Sequence, residues 1–117
     1  MLSWKAAHKL ALSLPEAEER DHFGSPSFQV RGKIFAQLSA QEKSEQRALV
    51  KLLAADQAAL VMSAPDTFSW VPQWGRHGWT YVKLATVEES VLYGLFFQSW
   101  QNVAPKKLVA THAMWKK

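Results

Sequence analysis

The chain of 117 residues contains no cysteine. That absence excludes disulfides, thiolate metal sites and a cysteine nucleophile. It also fits a reducing compartment, so a cytoplasmic location is the expectation. No run of about 18 apolar residues occurs, so no membrane span is expected. The N-terminal stretch MLSWKAAHKLALSLPEAEER has no long uncharged apolar core and no small-residue cleavage pattern after one. It reads as a helix, not a signal peptide. The four histidines, His8, His22, His77 and His112, form no HExxH or HxH spacing, and neither a metal nor another cofactor is expected. No glycine-rich phosphate loop is present, and Ser25 and Ser27 lie outside a nucleophile-elbow setting. With no nucleophile or base to name, the expectation is a protein that is not an enzyme.

What is present suits one compact domain over residues 1–117, expected to be a monomer. Apolar residues at 48% and charged residues at 21% place it with globular rather than disordered chains. A chain of this length buries enough surface to hold a core without staples. The charge is uneven. Residues 1–90 carry ten basic and ten acidic side chains, whereas Lys106, Lys107, Lys116 and Lys117 account for the whole net charge of +4. A basic end fits an anionic partner, and equally a solvated lysine tail.

Residues 24–36, GSPSFQVRGKIFA, are the most informative stretch. They compress a turn, a strand, a two-residue reversal and a second strand into one β-hairpin. Gly32 supplies the positive φ that such a reversal needs. Arg31 and Lys33 flank it, so the tip is basic. Pairing across the turn predicts Phe28 opposite Phe35 and Val30 opposite Lys33, with Gln29, Ile34, Ala36 and Leu38 on the other face.

Upstream, residues 3–14 have helical apolar spacing ended by Pro15, followed by a charged connector at 16–21. Downstream, residues 39–46 read as a polar turn. Residues 47–53 alternate as a strand, with Ala48, Val50 and Leu52 against Arg47, Leu49 and Lys51. Residues 54–63 form a short helix and 65–78 a loop or irregular strand. Residues 79–84 alternate again, with Trp79, Tyr81 and Lys83 against Thr80, Val82 and Leu84. Thr86 and Glu89 match a capping box. A helix with an apolar face at Val91, Leu92, Leu95, Phe96, Trp100 and Val103 follows, and Pro105 opens a last one. Short hairpin connections with helices at the ends predict an α+β two-layer domain, its antiparallel sheet covered on one face.

These blocks resemble the MmcQ/YjbR family of small bacterial proteins. The resemblance runs over roughly residues 10–110. It rests on SLPEAEE, then HFGSPSFQVRGKIFAQL, then Pro65 with Phe68 and HGWTYVKL, then SWQNVAPKKLVA, four blocks in the family's order. It implies a curved antiparallel sheet flanked by N- and C-terminal helices. That fold is similar to the double-wing C-terminal domain of the phage transcription factor MotA, whose sheet contacts DNA. By that fold analogy it also implies a DNA-binding protein.

Three groups of residues suit such a partner. Arg31 and Lys33 fit a wing on phosphates, or simply an exposed turn. Trp74, Arg76, His77, Trp79, Tyr81 and Lys83 fit stacking between cations, although Trp79 also fits the core. Should Arg47 and Lys51 lie on an open sheet face, Lys83 joins them there. Lys106 and Lys107 oppose a helix dipole in a way that an anion would relieve. The expected DNA-contacting set is therefore Arg31, Lys33, Arg47, Lys51, Arg76, Lys83, Lys106 and Lys107. The alternative is a small-ligand or protein-interaction site in the aromatic loop 70–79, built on Trp74, Arg76, His77 and Trp79.

Overall fold

A computed structural model describes residues 2–22, 24–40, 45–73 and 75–111. The sequence orders its elements as α1 (Trp4–Leu12), β1 (Glu18–His22), β2 (Ser25–Val30), β3 (Lys33–Leu38), β4 (Arg47–Lys51), α2 (Ala54–Ser63), β5 (Phe68–Trp70), β6 (Trp79–Lys83), α3 (Glu89–Val103) and α4 (Lys106–Thr111). A single 3₁₀ turn, Gly75–His77, precedes β6. The strands form one sheet in the order β1-β2-β3-β4-β6-β5, with every neighbouring pair antiparallel. The chain leaves β4, passes through α2 to the β5 edge, and returns as β6 to fill the place beside β4. The α+β fold with one curved antiparallel sheet and flanking helices is as the sequence predicts.

Local chemistry accounts for most boundaries. The Ser3 hydroxyl caps α1 by accepting from the Ala6 N–H at 3.1 Å. The β2–β3 turn is made by Arg31 at φ 51° and Gly32 at φ 83°, the two positive values of a type I′ reversal. Alternation then sets the faces. Ala48, Val50, Thr80 and Val82 are fully buried, while Arg47, Leu49, Lys51, Trp79, Tyr81 and Lys83 are only half-buried.

The core lies between the sheet and the helices. Ala7 and Ala11 of α1 and Leu92, Phe96 and Trp100 of α3 meet Phe28, Val30, Leu38 and Val50 there. Hydrogen bonds add to the apolar contacts. The Trp100 indole donates to the Pro15 carbonyl at 3.0 Å. Gln57 of α2 donates its side-chain amide to the Trp79 carbonyl and the Thr80 hydroxyl, each at 3.0 Å, which docks α2 on the same side.

Several details differ from the sequence-based expectation. The charged connector contains β1, whose residues EERDH pair with β2 along the sheet edge. Charged residues on an edge strand discourage pairing with another sheet, and they hide the strand from any apolar pattern. Phe28 lies opposite Ala36, not Phe35, because a β-bulge leaves Phe35 without a partner and shifts the phase of β3. Phe35, Ala36 and Leu38 are all buried as a result. The 65–78 stretch contains β5 and the 3₁₀ turn. The N-cap of α3 is Glu88 without a side-chain cap, since the Thr86 hydroxyl pairs with that of Thr67 at 2.8 Å. Val91 is 39% exposed and stands outside the packed face of α3.

The bulge is resolved from above. The Ser99 hydroxyl donates to the Phe35 carbonyl at 2.5 Å and accepts from the Lys51 N–H at 2.8 Å. One buried side chain of α3 thus satisfies both strands where the β3–β4 ladder stops. Asn102, one turn on, donates to the Lys51 carbonyl at 3.0 Å. At the other end of that connection Gly78, at φ 96°, lies so near Leu52 that a Cβ would sit 2.2 Å from the Leu52 carbonyl oxygen. The Gly78 carbonyl accepts from the Leu52 N–H at 2.8 Å.

Replacing Ser99 by Ala is expected to cost about 1–3 kcal/mol in urea unfolding, with an unchanged denaturant slope, because two buried polar groups lose their partner. A loss below about 0.5 kcal/mol, the range of ordinary surface changes, contradicts that role. Gly78→Ala is expected to cost at least about 2 kcal/mol, since backbone strain and a backbone clash act together. Gly94→Ala on exposed α3, where an added Cβ meets nothing within 4 Å, is its control and should leave the midpoint unchanged or raise it.

Candidate nucleic-acid interface

The described helices all pack on one side of the sheet, and no described element covers the other. Register places the side chains of that open face in rows across β4 and β6. Arg47 is opposite Lys83, Leu49 opposite Tyr81, and Lys51 opposite Trp79. Gln37 of β3 and Ser69 of β5 extend the middle row on either side. Cations therefore stand at both ends of β4, about 13 Å apart at the strand rise, with the Tyr81 ring between them and Trp79 beside Lys51.

Arg47 is the most constrained of the three cations. Its guanidinium carbon lies 3.8 Å from the centroid of the Tyr81 ring, a cation–π stack. Its Nε is buried with no hydrogen-bond partner. Lys83 Nζ is 3.8 Å from a Glu45 carboxylate oxygen, with both side chains well exposed, so this ion pair holds the lysine only weakly. A cleft of about 240 Å³ opens at this end of the face, lined by Glu45, Arg47, Asp66, Ser69, Tyr81 and Lys83 among others. A second cleft, about 490 Å³, runs along the outer side of α3 past Tyr93, Gly94 and Phe97. Neither includes Arg76, His77 or Trp79.

The other predicted residues are placed apart from this row. Arg31 is bound by Glu16 through two parallel hydrogen bonds, Nε–Oε1 at 2.6 Å and NH2–Oε2 at 3.1 Å. That hydrogen bond, and then the charge of Glu16, raises the Arg31 pKa. The hairpin tip is therefore largely neutralised as a wing, with Lys33 exposed beside it. Arg76 and His77 are exposed in the 3₁₀ turn. Trp74 lies outside the described residues. Trp79 is not a core residue as its size suggests. It occupies the open face, half-buried. Lys106 and Lys107 are exposed at the start of α4, a helix of six residues whose Leu108 anchors in the core on the helical side.

Sequence reasoning missed three features of this region. Glu16 gave no sign of being the partner of Arg31, because the two are 15 positions apart and meet only through the turn before β1. Glu45 lies within the polar turn 39–46, where no pattern marks it. Ser69 belongs to a three-residue strand, too short for alternation to show.

The model of the YjbR family matches residues 12–102. The chain belongs to the YjbR family. The matched stretch contains all six strands, both clefts and the Arg47–Lys51–Lys83 row, and stops short of Lys106 and Lys107. No curated protein matches the chain. Among solved structures, the Deinococcus radiodurans protein DR2400, a DUF419 domain, is 18% identical with a TM-score of 0.77, covering 87% of this chain and 78% of that one. At that identity the likeness is one of fold. Among the described residues no group of His, Asp or Glu is arranged to hold a metal, and no helix is long and apolar enough to cross a membrane.

The two tryptophan environments make a direct check on the open face. Trp79→Ala is expected to cost no more than about 2 kcal/mol, given partial burial. Trp100→Ala, which empties a fully buried site, should cost about 3–5 kcal/mol. Equal losses in chemical unfolding would mean that Trp79 is covered.

Proposed function

We propose that this YjbR-family protein is a non-enzymatic, cytoplasmic nucleic-acid-binding protein that holds DNA against the open face of its sheet. The observation that carries this reading is the set of cations Arg47, Lys51 and Lys83 on a face that no described helix covers, with the Tyr81 ring between them and Trp79 beside Lys51. Lysine and arginine contacts to phosphate supply affinity and position the chain without reading sequence. The similarity to a double-wing domain, in which the sheet meets DNA, supports the same face. Arg31 adds little while Glu16 holds it. Lys33, Arg76, Lys106 and Lys107 contribute at most to the surrounding field.

Three phosphate contacts on duplex DNA give a slope of about −2.7 in log affinity against log salt, so binding should weaken roughly 40-fold between 50 and 200 mM salt. Fluorescence anisotropy of a labelled duplex measures it. Lys51→Ala and Lys83→Ala should each reduce the slope by about one, whereas a Lys106→Ala/Lys107→Ala variant should leave it nearly unchanged. Affinity that ignores salt, or that depends on Lys106 and Lys107 alone, would falsify the open-face assignment.

A further inference from the structure

The open face carries more than a phosphate-binding stripe needs. It also carries aromatic rings, with Tyr81 in the middle and Trp79 two positions away on β6 at the Lys51 end, about 7 Å at the strand rise. A duplex has no use for these rings, because its base faces are stacked against one another and only its phosphates and groove edges are accessible. Unpaired bases expose their faces, and sheet-borne aromatic rings bind them by stacking.

The cleft at the Arg47–Lys83 end narrows the ligand further. It presents donors from Arg47, Lys83 and Ser69 and acceptors from Glu45 and Asp66 within about 240 Å³. Glu45 and Asp66 are acceptors that a phosphate cannot use. The chemistry instead suits a neutral group with donors and acceptors on adjacent edges. Guanine is such a group. Its O6 and N7 accept from arginine or lysine, and its N1–H and N2 amine donate to a carboxylate. Arg47 is already held flat by Tyr81, which fixes its guanidinium beside the cleft.

We infer that this cleft accepts one unpaired guanine, so that the preferred partner is a single strand containing guanine, with a neighbouring base on Trp79. This rests on the nucleic-acid reading of the open face and adds to it the strand state and the base.

Fluorescence anisotropy at low salt separates the two. Three labelled probes are compared: oligothymidine, the same strand with one central guanine, and a duplex of that second sequence. The guanine-bearing strand should bind more tightly than the duplex, and about fivefold or more above oligothymidine. A Glu45→Gln/Asp66→Asn variant should lose the guanine preference while holding oligothymidine at least as well. Replacing the guanine by hypoxanthine, which lacks the N2 amine, should weaken the preference in the unaltered protein. Trp79→Ala should lower affinity for both single strands by about fivefold or more. If the strands and duplex bind but guanine confers no preference, or the double variant keeps it, the cleft assignment is wrong and the open-face reading stands. If no probe binds while circular dichroism shows folded protein, the nucleic-acid reading itself is wrong and the cleft assignment goes with it.

Discussion

The Ser99 hydroxyl, held between the Phe35 carbonyl and the Lys51 N–H, is the contact on which the arrangement of the molecule depends. Beyond the Ala36–Val50 pair the β3–β4 ladder stops, and the Phe35 carbonyl and Lys51 N–H meet the Ser99 hydroxyl. Buried backbone groups without partners are costly, so such a break survives only where a side chain meets both. Ser99 can do this because α3 lies directly over the seam. The same helix sends the Trp100 indole to the Pro15 carbonyl and Asn102 to the Lys51 carbonyl. α3 is thereby fixed in rotation and in position along the sheet, and the other helices take their places around it.

That constraint has a consequence on the far side. With the apolar side chains of β3, β4 and β6 committed to the helical layer, no described helix packs on their alternate residues. Leu49, Trp79 and Tyr81 remain half-buried among Arg47, Lys51 and Lys83. A face with Tyr81 at its centre, Trp79 beside Lys51 and cations at both ends is an unusual mixture for a surface that only needs to be hydrated. That mixture is what supports the proposed nucleic-acid partner, whose flat bases and charged backbone it matches in kind.

Arg31 and Arg47 illustrate how tertiary structure sorts residues of equal promise. Arg31 stands at an exposed hairpin tip, the more conspicuous place in the sequence, yet Glu16 engages its whole guanidinium fork. Both residues adopt positive φ, at 51° and 58°, so the pair ties two tight turns together. Arg47 looked like one member of an alternating strand. It lies instead over the Tyr81 ring with a buried donor unpartnered, beside the cleft. Sequence position made the first prominent, and geometry made the second available.

What the sequence by itself determined was everything governed by short-range rules. The β2–β3 reversal followed from Gly32, the strands β4 and β6 from strict alternation, α2 and α3 from helical spacing, and the one-sided α+β layering from their order. It also placed Arg47, Lys51 and Lys83 on the same phase of their strands, which is why they share a face. Tertiary structure decided the rest, because those features depend on contacts between distant segments. β1 exists through pairing with β2 and not through any apolar pattern of its own. The bulge at Phe35 is stabilised by a serine 64 positions away. Thr86 gave up a capping role to a hydroxyl on the neighbouring strand, and Trp79 was turned outward because Thr80 and Val82 held the inward phase. Alternation can state that two faces differ. Only the packing of α3 could state which of them would be left open.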